Sequence, residues 1–211
     1  VSAGRLVSRL EGEDALDLAS AEGIEPAGLA GVLDAAAAAS VARLAGASPA
    51  AIQEGLAAYA VAGHRGAVVH EHGGVAYIDN SKATNPHAAD AALKGLNSVV
   101  WIAGGQLKGA EVDGLVAKHA AQIKAAVVLG ADRQEIAQAL AEHAPHAPVD
   151  VIESNDPAAA MNAAVDAALQ HAEAGDTVLL APAAASLDMY TGMAQRGDLF
   201  AAAARNIARA D

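Results

Sequence analysis

The spacing of apolar positions changes at residue 67 of this chain. Beyond it, short continuous apolar runs alternate with longer alanine-rich stretches whose apolar residues recur every three or four positions. A short unbroken apolar run marks a strand covered on both faces, and the three-to-four spacing marks a helix. The runs AVVHEH (67–72) and VAYIDN (75–80) flank Gly73-Gly74 and predict a β-hairpin. Further strands are predicted at SVVWIA (98–103), AAVVLG (125–130), PVDVI (148–152) and DTVLLA (176–181). Helices are predicted over 86–93, 110–123, 133–143, 157–172 and about 199–210. This alternation predicts an α/β, Rossmann-like domain: a mostly parallel sheet flanked by helices.

The segment before residue 67 reads differently. Residues 1–32 are broken by Gly and Asp and offer one short strand-like piece, GRLV. A helix is predicted over 33–44, stopped by Gly46. Ser48-Pro49 pairs a cap residue with a proline at the first helical position, so a second helix runs from there to about residue 60. The expected picture is a mainly helical segment, a hinge at VAGHRG (61–66), and then the α/β domain.

Composition narrows the function classes. The chain is 54% hydrophobic but only 2% aromatic, so its core must be built from Ala, Val, Leu and Ile. The net charge is −12 and no basic cluster is present, which argues against nucleic-acid binding, where cations must displace counterions. No apolar run reaches the length of a membrane span, so no membrane insertion is expected. No secretory signal is visible, which makes the cytoplasm the default compartment. The absence of cysteine excludes disulfides and thiol catalysis. No histidine has a metal-ligand spacing such as HExxH, so no metal site is expected within the chain itself. His70 and His72 alternate on a predicted strand and are placed on its exposed face. The chain starts at Val1 rather than Met, and a processed or truncated piece of a longer protein is expected.

Ligands of open α/β sheets sit at the carboxyl ends of the strands, so chemistry is sought in the loops there. The first is NSKATN (80–85), where Asn85-Pro86 starts a helix with free N–H groups, and Lys82, Ser81 and Thr84 add donors. Taken alone, it is better read as a capped turn with a solvated lysine than as an anion site. The second, GGQLKGAE (104–111), has glycines for close backbone approach and Lys108 just before a helix. The GxxxxGK[ST] phosphate cradle is absent. In the third, 181–198, Ser186 is placed to cap a helical turn at Leu187, with Asp188 near its positive end. Arg196-Gly197-Asp198 is read as one helix's end and the next helix's cap, not as an adhesion motif. No GxSxG elbow accompanies the Ser, His and Asp residues, which argues against a hydrolase triad.

Together the three loops, with GHR at 63–65, resemble the C-terminal domain of the Mur ligases, specifically the branch that adds D-glutamate. The resemblance covers about residues 30–211. It implies that 1–64 is the tail of the family's central ATPase domain and 65–211 the amino-acid-binding domain. It implies ATP-dependent amide-bond formation between UDP-N-acetylmuramoyl-L-alanine and D-glutamate, through an acyl phosphate, in peptidoglycan synthesis. ATP and Mg2+ would be held mainly by upstream domains that this chain lacks, so the chain alone is expected to be inactive.

Roles follow by position. Arg65 and Asn80 match residues that contact the nucleotide. Lys82 and Thr84 match residues that face the incoming amino acid and the reacting phosphate. Lys108 matches the lysine that pairs with one carboxylate of D-glutamate, and Ser186 with the Leu187 backbone matches the hydroxyl and amide that hold the other. Several positions depart from the pattern. The family's Asp-Ser-Lys-Ala-Thr-Asn reads Asn80-Ser81-Lys82-Ala83-Thr84-Asn85 here, with the acid displaced to Asp79. The family phenylalanine that packs on substrate is Met193, and the adenine-binding pattern falls on Ala30, Gly31 and Asp34. Alternative readings are a free-standing Rossmann-like nucleotide-binding module, a related ligase adding another amino acid, and an inactive scaffold. The absence of GxGxxG after any strand counts against the first.

Overall fold

The computed structural model describes residues 3–9, 14–24, 29–60 and 63–207. The first two residues of the expected hinge, the last three of the expected final helix, and Val1 itself lie outside them. The chain divides into two compact units, Val1–Ala62 and Gly63–Asp211. No helix among the described residues is long and apolar enough to cross a membrane.

The first unit is less purely helical than expected. Strands β1 (Arg5–Ser8) and β2 (Leu16–Ser20) pair antiparallel. β2 was not expected: LDLAS alternates too briefly to register as a strand. Helix α1 (Leu29–Leu44) starts four residues earlier than predicted, and α2 spans Pro49–Ala58. The two expected boundaries between them hold. Gly46 ends α1 in a left-handed conformation (φ 92°), and Ser48 caps α2 by accepting from the Ala51 N–H at 3.3 Å. Leu6, Leu18, Ala19, Ala35, Ala39 and Ile52 form the small core.

The second unit follows the predicted alternation. A hairpin, β3 (Ala67–His72) and β4 (Val75–Asp79), leads into α3 (Pro86–Leu93). Then come β5 (Val99–Gly104), α4 (Asp113–His119) with a 3-10 turn at Ala120–Gln122, and β6 (Ile123–Leu129). They are followed by α5 (Arg133–His143), β7 (Val149–Val151), α6 (Pro157–His171), β8 (Thr177–Leu180) and α7 (Met193–Asn206). The sheet order is β3-β4-β8-β5-β6-β7, antiparallel only between β3 and β4. Alternate residues of β5 serve opposite faces. Val99, Trp101 and Ala103 pack toward Leu93, Val116 and Leu140. Val100 and Ile102 pack toward Met161, Val165 and Phe200. A sheet buried on both faces is what the unbroken apolar strands demanded.

β8, the last strand in sequence, enters the sheet between β4 and β5. The loops leaving β4, β8 and β5 at their carboxyl ends therefore stand side by side. These are the three loops the sequence singled out.

Two local expectations fail. His70 and His72 are half-buried rather than exposed, beside a register shift between Val68 and His70. The rings stack at 6.1 Å, and His70 lies 5.8 Å from Tyr77. Gly197 and Asp198 do not divide two helices, because α7 runs unbroken through them. Gly197 is there for space: an added Cβ would collide with His64 Nδ1 and stand 2.6 Å from Asp79 Oδ2.

In an open helix Gly→Ala stabilises by about 1 kcal/mol. Here the sign reverses, and Gly197→Ala is expected to cost about 1–3 kcal/mol through overpacking. Urea unfolding followed by fluorescence of Trp101, the chain's single tryptophan, reads this directly. An unchanged or raised midpoint would contradict the packing of α7 against His64.

Candidate substrate site

The first loop leaves β4 with alternating side chains sent to opposite faces. Asp79 turns inward and is 1% exposed. Its Oδ1 accepts the Ser81 N–H at 2.9 Å, and its Oδ2 lies 2.7 Å from His64 Nδ1. Asn80 turns the other way, into a cavity of about 190 Å³ shared with Arg65, Lys82, Ala83 and Ala88. The displaced acid of the motif therefore cannot do the work of the next position. The loop is wound tightly, with the Ala83 N–H donating to Asn80 O and the Thr84 N–H to Lys82 O, both at 2.9 Å. Asn85 caps α3 as expected, its Oδ1 accepting from the Ala88 N–H at 2.9 Å. In the anion-site reading of this loop, Ser81 offers a hydroxyl to a ligand. It is instead fully buried, and its Oγ–H donates to Met193 O at 2.7 Å.

The second loop is pressed against its neighbours. A Cβ on Gly104 would collide with Leu129 O, and one on Gly105 with Ala185 O. Gly105 N–H donates to Leu129 O at 3.1 Å, and Leu107 N–H to Asp132 Oδ2 at 2.7 Å. Lys108 follows at the exposed tip in a left-handed conformation (φ 56°). The third loop binds both others. Gln106 and Ala185 exchange a pair of backbone hydrogen bonds, each 2.8 Å, and the Ala183 N–H reaches Ala83 O at 3.0 Å.

Ser186 does not cap a helix. It opens a turn, its carbonyl accepting the Tyr190 N–H at 2.9 Å, and the helix begins only at Met193. Asp188 is correspondingly not at a helix end; its Oδ2 accepts the Ala131 N–H from the loop after β6 at 2.8 Å. Leu187 is 65% exposed, and Met193 stands half-buried at the first turn of α7.

The residue that joins the three loops is one the sequence reading missed. Arg196 on α7 is 1% exposed. Its Nε donates to Ser81 Oγ at 3.0 Å and an Nη to Ser81 O at 2.9 Å, in the first loop. The other Nη reaches Gly104 O at 3.2 Å in the second loop and Ala184 O at 3.1 Å in the third. Burial lowers its pKa to about 10, opposed by Tyr190, Asp188 and Asp79 nearby. Burial likewise pushes Tyr190 up to about 12, with Arg196 opposing and Asp188 adding to the rise. A signal existed: Arg196 precedes Phe200, Ala203, Ala204 and Ile207 at helical spacing, a lone cation on an otherwise apolar face.

The polar residues thus divide. Ser81, Asp79 and Arg196 are spent on internal hydrogen bonds. Among the described residues, the side chains of Arg65, Asn80, Lys82, Thr84, Lys108 and Ser186 make no hydrogen bond to the protein. Arg65, Asn80 and Lys82 meet in one cavity. Its two cations, with no carboxylate among its lining residues, fit anionic oxygens rather than a metal ion. Asp34 lines a groove of about 440 Å³ within the first unit, beside Ala38, Ala42, Ile52 and Tyr59.

These features define an α/β ligand-binding domain whose site is built by the loops at the carboxyl ends of β4, β8 and β5. The chain belongs to the Mur ligase family: residues 64–184 match the domain described as Mur ligase, glutamate ligase domain. It is 64% identical over 188 residues to the UDP-N-acetylmuramoylalanine–D-glutamate ligase of Corynebacterium efficiens, covering 89% of this chain and 40% of that protein. It is 56% identical over 210 residues to the ligase of the same name from Corynebacterium jeikeium, covering 99% of this chain and 42% of that protein. The chain spans about 40% of the length of these relatives. Among solved structures it resembles the UDP-N-acetylmuramate–alanine ligase of Thermotoga maritima, with TM-score 0.58 and 15% identity over 94% of this chain and 40% of that one. It also resembles MurF from Acinetobacter baumannii, with TM-score 0.55 and 17% identity over 89% and 40%. At these identities the likeness is one of fold.

Removing the Arg196 guanidinium leaves buried carbonyls of all three loops without their donor. Arg196→Met is expected to lower the unfolding free energy by about 3 kcal/mol or more, the scale of breaking a buried charged network. Urea denaturation measures it, and a loss below about 1 kcal/mol would show that the loops hold their arrangement without the arginine.

Proposed function

We propose that this chain is the amino-acid-binding part of an ATP-dependent ligase that joins D-glutamate to UDP-N-acetylmuramoyl-L-alanine in cytoplasmic peptidoglycan synthesis. The observation that carries the reading is the division of polar groups. Three adjoining loops are tied together from within, and Lys82, Thr84, Lys108 and Ser186 are left without protein partners. A dicarboxylate with a reactive amine needs donors at both ends, and these loops supply cations and a hydroxyl on a braced frame. The relatives' names supply the particular amino acid.

In this reading the L-alanyl carboxylate accepts a phosphoryl group from ATP. The amine of D-glutamate then attacks the acyl carbon, and phosphate leaves from the tetrahedral intermediate. Lys108 pairs with one carboxylate of D-glutamate, while the Ser186 hydroxyl and the Leu187 N–H hold the other. Met193 packs against the substrate's carbon chain. Lys82 and Thr84 face the attacking amine and the oxygens of the transferred phosphoryl group, where a cation stabilises developing charge. Arg65 and Asn80 face the nucleotide. Asn80 keeps a ribose hydrogen bond without the charge of an acid. Mg2+, when bound, neutralises charge on the nucleotide's phosphates. The residues of this chain's cavity hold phosphate oxygens rather than the metal, which leaves the metal to the portion of the relatives' length beyond this chain. Residues 1–64 are then the end of the central ATPase domain, and Asp34 stands where adenine is recognised.

Two outcomes are expected. In the enzyme of the relatives' full length, Lys108→Ala raises KM for D-glutamate roughly 10-fold or more, the scale of a lost charge-assisted hydrogen bond, and leaves KM for ATP within about twofold. Equal changes in both would remove Lys108 from the glutamate subsite. The 211-residue chain by itself is expected to carry out no ATP-dependent ligation. Measurable product from it would overturn the assignment of phosphoryl transfer to the rest of the enzyme.

A further inference from the structure

We propose that His64 is a positioning residue that accepts a strained backbone in order to hold Arg65 and Lys82 in one cavity, set for the phosphates of a nucleotide. The inference rests on the reading of that cavity given above. It begins with the backbone: His64 sits at φ 67°, in the left-handed region that few residues other than glycine adopt, histidine being among those that enter it more readily. Such strain persists only where surrounding contacts over-determine it, and it concentrates at functional sites.

The contacts are specific. The His64 ring presents Nδ1 to Asp79 Oδ2 at 2.7 Å. A carboxylate only accepts, so the hydrogen bond places a proton on Nδ1. Asp79 is itself fixed, buried at the end of β4 with its other oxygen on the Ser81 N–H. The His64 carbonyl accepts the Lys82 N–H at 3.1 Å, and the Gly66 N–H donates to Asp79 O at 2.9 Å. Arg65 is therefore clamped on both sides to the loop that carries Lys82. The ring's far side is bounded by α7, where Gly197 has no Cβ to displace it and Asp198 Oδ1 lies 3.8 Å from Nε2. Arg65 makes no hydrogen bond of its own among the described residues, so its place in the cavity comes through its neighbour.

A hinge residue with only a packing role would respond to lost volume. A positioning residue responds to lost hydrogen bonding and to backbone conformation separately. Three variants of the full-length enzyme separate these. His64→Asn keeps a donor near the place of Nδ1 and tolerates the left-handed region. His64→Gly relieves the strain and loses the donor; His64→Ala loses the donor and keeps the strain. The readouts are ADP binding by calorimetry, and KM for ATP beside KM for D-glutamate. The expected result is near-wild-type ADP affinity for the Asn variant and a loss of roughly 10-fold for Gly and Ala, on the scale of a lost hydrogen bond to a charged group. KM for ATP should rise in step, with KM for D-glutamate within about twofold. Wild-type ADP affinity in the Gly and Ala variants would overturn the proposal. So would a loss in the Asn variant equal to theirs, or a parallel rise in both KM values, which is the mark of general loosening. Wild-type enzyme that binds ADP but adds no D-glutamate would overturn the ligase reading and leave the role of His64 standing. Wild-type enzyme that binds no ADP would overturn both.

Discussion

A guanidinium taken out of water must be given acceptors, and those that Arg196 finds are a hydroxyl and carbonyl oxygens on three different loops. Desolvation makes this a constraint rather than a preference, because an unsatisfied buried cation is among the costliest defects a fold can carry. The loops cannot drift apart without exposing or orphaning the arginine. The sheet makes the arrangement possible: β8 lies between β4 and β5, so the loops are already neighbours before any side chain acts. Topology brings the loops together and Arg196 fixes their mutual distance. Lys82, Lys108 and Ser186 then inherit fixed positions without spending their own polar atoms on the protein.

The same economy explains the exchanged order of acid and amide at the end of β4. Successive side chains on a strand face opposite ways. Asp79 faces α7, where it takes the Ser81 N–H and His64. Asn80 faces the cavity. An acid at position 79 serves the frame and an acid at position 80 would face the cavity, so neither substitutes for the other. Among the described residues that line the cavity, charge is consequently supplied by Arg65 and Lys82, which suits an anionic occupant better than an acidic lining would.

Most of the second unit was legible because its signals are local. Runs such as VVWIA and AAVVL can only be strands covered twice, and Asn85-Pro86 and Ser48-Pro49 mark helix starts whose geometry is set within four residues. The failures came where a residue's reason lies far away in sequence. Gly197 looked like a helix stop because its real cause, His64, stands 133 residues earlier and presses on the helix face. Ser186 looked like a cap because serine before a polar turn usually is one; its turn instead serves a loop zipped to Gln106. Arg196 was passed over inside a tripeptide read for its ends, although its place on the apolar face of α7 was visible in the spacing. β2 was missed for a different reason: its pattern is too short, although its partner β1 lies close by in sequence. The three loops were individually ambiguous and became informative only in their order.

The claim on which all of this turns is that the three loops form one amino-acid site, with Lys108 and Ser186 at its two ends. A crystal structure of the full-length enzyme with its ligation product bound tests it most directly. The account predicts one carboxylate of the added D-glutamate within hydrogen-bond distance of Lys108 Nζ, the other at Ser186 Oγ and the Leu187 N–H, and Arg196 still buried among the three loops. A product whose glutamyl end lies away from these loops, or on only one of them with Arg196 displaced, would contradict it.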